Sequence, residues 1–313
     1  MKETAIVSGA AGFIGSHLVD LLLKEGFSVI GIDNLRTGKM ENLTTSMTNT
    51  KFEFVDSDIR SEKLLKVVNR PVDIVYHLAA ISSVKFSIKN PELVIDVNVK
   101  GTRNMLELTR KCDAKRFVFS SSAAVYGNPQ SLPIREETPL NPLSPYAESK
   151  ASAEMECQTY QNLYGITPII FRYFNVYGPR QEHSEYSGVI PIFIDQAIQN
   201  RDITVEGEGN QTRSFIYVED VAQATYLGGI IESDSRCIMN LSGLTSISIS
   251  DLAHLIKEHI PHSKSKIVYR DAREGDVMDS IGSMERTTKI LGFSPKVSFI
   301  DGLDKTINWY QTR

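Results

Sequence analysis

Tyr146 and Lys150 stand four residues apart in Pro145-Tyr146-Ala147-Glu148-Ser149-Lys150. Residues at i and i+4 share one face of a helix, so an ammonium there can stand beside a phenol and stabilise its phenolate. A tyrosine ordinarily titrates near ~10, and such a neighbour makes it usable as a base at neutral pH. Upstream, Ser120-Ser121-Ser122 closes an apolar run, and Ser122 precedes Tyr146 by 24 residues. A hydroxyl at the carboxyl end of a central strand is well sited to touch a substrate oxygen. Ser122, Tyr146 and Lys150 are therefore the candidate proton-transfer set.

A second set suits a dinucleotide. The first apolar run leads into Gly9-Ala10-Ala11-Gly12-Phe13-Ile14-Gly15 and then into a helical stretch. Glycines at these places allow a tight turn, close approach of backbone to a pyrophosphate, and close helix–strand packing, with the helix N-terminus offering oriented N–H groups. Asp33 follows the last glycine by 18 residues, at the end of the second run. A carboxylate there accepts both ribose hydroxyls and repels a 2′-phosphate, which favours NAD over NADP, a preference tempered by Arg36. Asp58, after the third run, suits either an adenine contact or the cap of a helix near Ser61. Ala79 and Ala80 are small enough to let a cofactor lie against a strand end.

These residues need a scaffold, and the patterning supplies one. Ala5–Val7, Ser28–Ile32, Phe52–Val55, Ile74–His77, Phe117–Ser120 and Thr167–Phe171 read as strands. Their near-continuous apolarity marks them as buried on both faces, hence a parallel sheet with helices on each side. Helices are expected over 12–25, 61–69, 91–112 and 144–164, the third with Pro91 in its first turn and the last stopped by Gly165. After Asn175 the loops lengthen. The expected architecture is an α/β, Rossmann-type doubly wound parallel sheet over 1–174, followed by a smaller α+β lobe over 175–313. Some segments of that lobe, near 215–218, are expected to return to the first domain.

At 313 residues the length suits two domains or one with a lobe. With 34 basic and 38 acidic residues the net charge is −4, and no block of like charge advertises nucleic acid or an anionic membrane. Cys112, Cys157 and Cys237 show no metal or redox spacing and read as reduced thiols. The six histidines include no HExxH, so no metal site is expected, and His77 reads as packed. No apolar run approaches the ~20 residues of a bilayer span, and a cytoplasmic protein is the expectation.

The chain resembles the extended short-chain dehydrogenase/reductases, and among them the UDP-glucose and UDP-N-acetylglucosamine 4-epimerases. The matching pieces are GAAGFIG (9–15), DNL (33–35), DI (58–59), HLAA (77–80), NVKGT (98–102), SSSAAVYG (120–127), NPLSPYAESK (141–150), RYFNVYGPRQ (172–181), TRSFIYVEDV (212–221) and REGD (273–276). The resemblance implies redox-neutral epimerisation of a UDP-sugar with bound NAD. Tyr146 takes the proton of the 4-hydroxyl, Ser122 shares that hydrogen bond, C4 passes hydride to NAD, and the 4-keto sugar turns over before the hydride returns. Lys150 holds the nicotinamide ribose. Further cofactor contacts are implied at Gly9, Gly12, Phe13, Ile14, Gly15, Asp33, Asn34, Asp58, Ile59, Leu78, Ala79, Ala80, Asn98, Ser120 and Tyr173. Substrate contacts are implied at Ser83, Asn175, Val189, Arg213, Arg273, Asp276 and Ser280, the two arginines as a diphosphate clamp.

One departure is Ser214, where the family usually has aspartate. Relatives that dehydrate or decarboxylate nucleotide sugars carry an acid where this chain has Ala123 and Ala124, so a 4,6-dehydratase is the alternative enzyme. A non-catalytic NAD(P)-binding sensor is the alternative outside catalysis. Ser280, four residues past Asp276, is small where a tyrosine tends to exclude an N-acetyl group, and with Ser83 it favours UDP-GlcNAc and UDP-GalNAc. Helices 91–112 and 144–164 are the pair through which relatives form homodimers.

Overall fold

The computed structural model describes residues 3–68, 70–182, 188–232, 237–271 and 278–313. In chain order the first elements are β1 Thr4–Ser8, α1 Phe13–Lys24, β2 Ser28–Asp33, β3 Phe52–Asp56, α2 Leu64–Val67, β4 Ile74–His77, α3 Val84–Lys89, α4 Pro91–Ile95, α5 Gly101–Lys111, β5 Arg116–Ser122, α6 Pro145–Tyr164 and β6 Thr167–Tyr173. There follow β7 Asn175–Tyr177, α7 Val189–Ile198, β8 Ile203–Glu206, β9 Thr212–Tyr217, α8 Val218–Ile230, β10 Cys237–Leu241, β11 Ser246–Ser248, α9 Ile249–Glu258, β12 Ile267–Arg270, β13 Asp279–Ser280, α10 Glu285–Leu291 and α11 Phe299–Gln311.

The large sheet runs β3-β2-β1-β4-β5-β6-β10, and every pairing in it is parallel. Alternate side chains feed two cores. Ala5 and Val7 join Leu18 of α1 and Val221 of α8 on one face, while Ile6 joins Met105 of α5 and Ala153 of α6 on the other. This is the α/β doubly wound arrangement expected. The strand order reverses between β1 and β4, which opens a crevice at their carboxyl ends. Gly9 and Leu78 begin the two loops that border it.

Three expectations need correcting. The segment near 215–218 does not return to the large sheet: β9 lies in a small sheet between β11 and β13, with β7 also against it. The strand that returns is β10, on the outer side of β6. Helix 61–69 shrinks to Leu64–Val67, and the β-branched Val68 leaves it in an extended conformation. Helix 91–112 is interrupted by a π-helical turn, Asp96–Lys100, between α4 and α5. A third core, built by α7, α9 and α11 around β8 and β9, fills the smaller lobe.

Candidate functional site

The glycine turn forms the floor of the crevice. Gly9 adopts φ +73, and a methyl on it would lie 2.8 Å from the Ala79 nitrogen. A methyl on Gly15 would fall on the Gly9 carbonyl oxygen. The first amides of α1, at Phe13, Ile14 and Gly15, have no intrahelical carbonyl to meet, and Gly12 at the N-cap has no side chain to cap them. A bare backbone cradle at a helix N-terminus fits a pyrophosphate.

At its rim, Asp33 is buried, and its carboxylate accepts the Ala11 N–H at 3.0 Å and the Leu35 N–H at 2.8 Å. Burial pushes its carboxyl above the usual range, against the pull of those amides. Asn34 donates to Asp58 at 3.0 Å. Asp58 is gripped by Arg60, which brings it down to about 2, and it does not cap α2. Ile59 is buried against Gly101, while Leu78, Ala79 and Ala80 leave β4 half-buried at the crevice.

Pro145 at N1 and the Ser144 side chain, which accepts the Ala147 N–H at 3.2 Å, start α6 so that Tyr146 and Lys150 face the end of β5. The Tyr146 phenol faces the Ser122 hydroxyl, whose oxygen accepts the Ala124 N–H at 3.2 Å. Lys150 donates from Nζ to the Ser120 carbonyl at 2.6 Å and lies 4.9 Å from the centre of the Phe119 ring. Burial lowers its ammonium to about 8. The same burial raises the Tyr146 phenol, and only Ser122 pulls it back. The sequence led us to expect a phenol lowered by Lys150. In the chain by itself desolvation wins.

Behind this face lies a network that spacing did not reveal. His77 is fully buried and held to about 3 by burial and by Lys150, so it is neutral. Thr102 donates to the Asn98 carbonyl at 2.6 Å and so must accept from His77 Nε2 at 2.9 Å, which leaves Nδ1 to accept from Ser8 at 2.6 Å. Asn98 is 2% exposed: its amide accepts the Ile81 N–H at 2.8 Å and donates to the Ile81 carbonyl at 3.0 Å and to Ser149 at 2.8 Å. Ser149 donates to the Tyr146 carbonyl at 2.7 Å. The Asn98 side chain thus ties the loop after β4 to α6. Tyr173 likewise turns inward, with its hydroxyl on Thr225 at 2.7 Å.

The smaller lobe holds a cavity of about 300 Å³, with Asn175, Val189, Arg213, Gln211 and Glu206 among its walls. Arg213 donates to the carbonyls of Thr212 at 2.9 Å and Met278 at 3.0 Å, and Ser280 lies directly beside it across β9 and β13. Ser214 is fully buried, with its hydroxyl 2.5 Å from that of Ser242 and donating to the Ser280 carbonyl at 3.1 Å. A hydroxyl pair therefore stands where the resemblance implies an aspartate. Ser83 caps α3, accepting the Phe86 N–H at 3.0 Å. Arg273 and Asp276 lie outside the described residues.

Residues 5–228 match the NAD dependent epimerase/dehydratase family. The chain belongs to that family. A putative UDP-glucose 4-epimerase of Methanocaldococcus jannaschii is 41% identical over 306 residues, with 97% of both chains covered. The UDP-glucose 4-epimerase of Thermotoga maritima, solved with UDP-glucose, superposes with a TM-score of 0.92 at 33% identity, covering 99% of each chain. The UDP-N-acetylglucosamine 4-epimerase of Methanobrevibacter ruminantium, solved with UDP-N-acetylmuramic acid, superposes with a TM-score of 0.93 at 33% identity, covering 100% of this chain and 99% of that one. Family members named for other reactions align as well, among them UDP-glucuronic acid decarboxylase 1 of Arabidopsis thaliana, 35% identical over 98% of this chain and 70% of its own. As a member of this family the chain is an NAD-dependent enzyme that modifies nucleotide sugars. Among the described residues no helix is long and apolar enough to cross a membrane.

Proposed function

We propose that the chain is a UDP-sugar 4-epimerase acting on UDP-GlcNAc and UDP-GalNAc, with UDP-Glc and UDP-Gal as further substrates. The observation that carries this reading is the turn Ala123–Tyr126, which begins with two alanines directly after Ser122. Eliminating the 6-hydroxyl needs an acid and a base near C5 and C6, and this turn offers neither, whereas epimerisation at C4 needs only the Ser122, Tyr146 and Lys150 set.

In this reading the backbone from Gly9 to Gly15 holds the pyrophosphate, Asp33 the adenosine ribose, and Lys150 the nicotinamide ribose. Bound there, NAD would supply a reversible two-electron acceptor for sugar C4 and a positive charge that would favour the phenolate against the burial that raises Tyr146. Tyr146 takes the 4-hydroxyl proton, Ser122 shares the hydrogen bond, and the proton returns from Tyr146 after the sugar has turned over. Arg213 and Arg273 clamp the diphosphate, Asn175 and Val189 line its path, and Asp276 takes the uridine ribose. Relatives of both sugar types stand at 33% identity, so the preference for N-acetylated sugars rests on Ser83 and on the small Ser280 beside Arg213.

The same proposal includes a cytoplasmic homodimer through α4, α5 and α6, which fits Met155 and Leu163 of α6 at 68% and 66% exposed. The test of the reaction is product analysis with UDP-GlcNAc and UDP-Glc in separate tubes, no cofactor added, and Tyr146→Phe as control. Conversion to the 4-epimers, lost in the variant, is the expected result. A 4-keto-6-deoxy product would replace the reading by a dehydratase, and no turnover even with added NAD would replace it by a sensor or by another nucleotide sugar.

A further inference from the structure

We propose that Glu154 and Arg172, a buried ion pair one helical turn from Lys150, are positioning residues for Tyr146, Lys150 and Ser122, and that their mutual neutralisation reserves the Lys150 ammonium for the site. This rests on the assignment of Tyr146 as the base.

Tyr146, Lys150 and Glu154 lie at i, i+4 and i+8 on one face of α6, and they engage three successive residues of β5. Tyr146 meets the Ser122 hydroxyl, Lys150 the Ser120 carbonyl at 2.6 Å, and Glu154 the Ser121 hydroxyl at 2.5 Å. Ser121 is paired in register with Arg172 on β6. Arg172 donates to both Glu154 oxygens, from Nε at 2.9 Å and from Nη2 at 2.6 Å. Its Nη1 reaches the Tyr126 hydroxyl at 2.9 Å and the Glu136 carbonyl at 3.1 Å, and Tyr126 donates to Asn240 of β10 at 2.7 Å. Glu154 and Arg172 are 5% and 3% exposed. One carboxylate therefore fixes the register of α6 against the strand ends that carry Ser122.

Lys150 is faced by Glu154 and Cys157 from α6, by neutral His77 from β4, and by the Phe119 ring and Ser120 carbonyl from β5. Arg172, from β6, reaches it through Glu154. From α5 and the π-helical turn come the uncharged Thr102 and Asn98, while Arg103 with Glu156 and Glu107 with Tyr160 pair on the exposed flank. Lys85 and Lys89 of α3 are exposed. Among the described residues Glu154 is thus the one carboxylate of the groups facing Lys150, and Arg172 holds it in a two-point grip. A carboxylate freed from that grip would bind the ammonium, and a guanidinium freed from Glu154 would leave an uncompensated buried cation in register with Ser121, next to the strand end that carries Ser122.

The pair is tested by ultraviolet titration of tyrosinate, each protein measured against its Tyr146→Phe counterpart, together with steady-state kinetics. Glu154→Gln is expected to move the Tyr146 titration to lower pH and Arg172→Gln to higher pH, each by about one unit, a tenfold change in proton affinity. The double variant Glu154→Gln/Arg172→Gln is expected to return to the wild-type midpoint. Glu154→Asp keeps the charge but is one methylene too short to meet Ser121 and Arg172 together. It is expected to lower kcat at least tenfold, with KM within about threefold and the titration unmoved. Shifts that are absent or share one sign, or a Glu154→Asp enzyme with wild-type kcat, overturn the proposal. Where the single charge variants fail to fold, Glu154→Asp decides. A wild-type protein that turns over no nucleotide sugar would sink the epimerase reading alone, because the titration needs no turnover.

Discussion

Replacing Lys150 by methionine removes a charge that the fold holds at a cost. The ammonium, 3% exposed, titrates at about 8 against an ordinary 10.5. At about 1.4 kcal/mol per pH unit, that gap corresponds to about 3 kcal/mol of disfavoured charge. The sign follows from which state holds the proton. Below pH 8 folded and unfolded chains are both protonated, and the folded one bears the cost. Between pH 8 and 10.5 the unfolded chain alone keeps the proton, so stability rises with pH, and above 10.5 it levels off. Urea unfolding of the wild type and of Lys150→Met, followed by circular dichroism from pH 7 to 10.5, should give a wild-type-minus-variant difference that is flat below pH 8 and then climbs by about 3 kcal/mol. Below pH 8 the variant should match or exceed the wild type in stability, because relief of the charge is offset by about 1–3 kcal/mol for the Ser120 carbonyl left without its donor. Turnover should be lost throughout. A difference curve that stays flat to pH 10.5, or falls, would mean that the ammonium is solvated, and the reasoning from burial would be wrong.

Three further outcomes follow from the geometry. Gly15→Ala drives a methyl onto the Gly9 carbonyl; it should cost about 1–3 kcal/mol in stability and abolish NAD binding measured by fluorescence titration, and wild-type affinity would refute the cradle. Arg213→Ala should raise KM for UDP-sugars about tenfold or more, with a smaller change in kcat, as for the loss of a charged hydrogen bond worth about 1.5–3 kcal/mol; a change in kcat alone would remove Arg213 from the diphosphate. Ser280→Tyr should lower kcat/KM for UDP-GlcNAc at least tenfold, by about 1.4 kcal/mol, relative to UDP-Glc, and an unchanged ratio would dismiss Ser280 as a size gate.

Six strands of the large sheet were readable because each carries an apolar run, five of them buried almost throughout, although the edge strand β3 buries only Val55. The seventh, Cys237–Leu241, was missed: Asn240 interrupts its run, and the polarity makes sense only once Tyr126 and Ile134 are seen to bond it. Ser122, Tyr146 and Lys150 were legible because their spacing along the chain carries their relation. Glu154 and Arg172 were not, since nothing local says that residue 172 lies in register with residue 121 and under α6. The phenol of Tyr146 was misjudged for a similar reason. Its spacing from Lys150 promised an ammonium neighbour, but burial acts on both groups, and burial is a property of the folded whole.

The π-helical turn at Asp96–Lys100 has a consequence for what can change in this protein. Such a turn amounts to one residue more than an α-helix would use, so α4 and α5 run along a common line yet sit out of phase by about 100°. The phase lag turns Asn98 inward to Ile81 and Ser149, while Pro91 and Ile95 line an outward-facing groove together with Val99 of the turn and Arg103 of α5. No point substitution can close that lag. Deleting a single residue between 96 and 100 would let the ladder close as ordinary α-helix and swing one half about its axis. The stay behind Tyr146 and the outer groove could then not both keep their aim, so two surfaces some distance apart are geared to the count of residues in one turn.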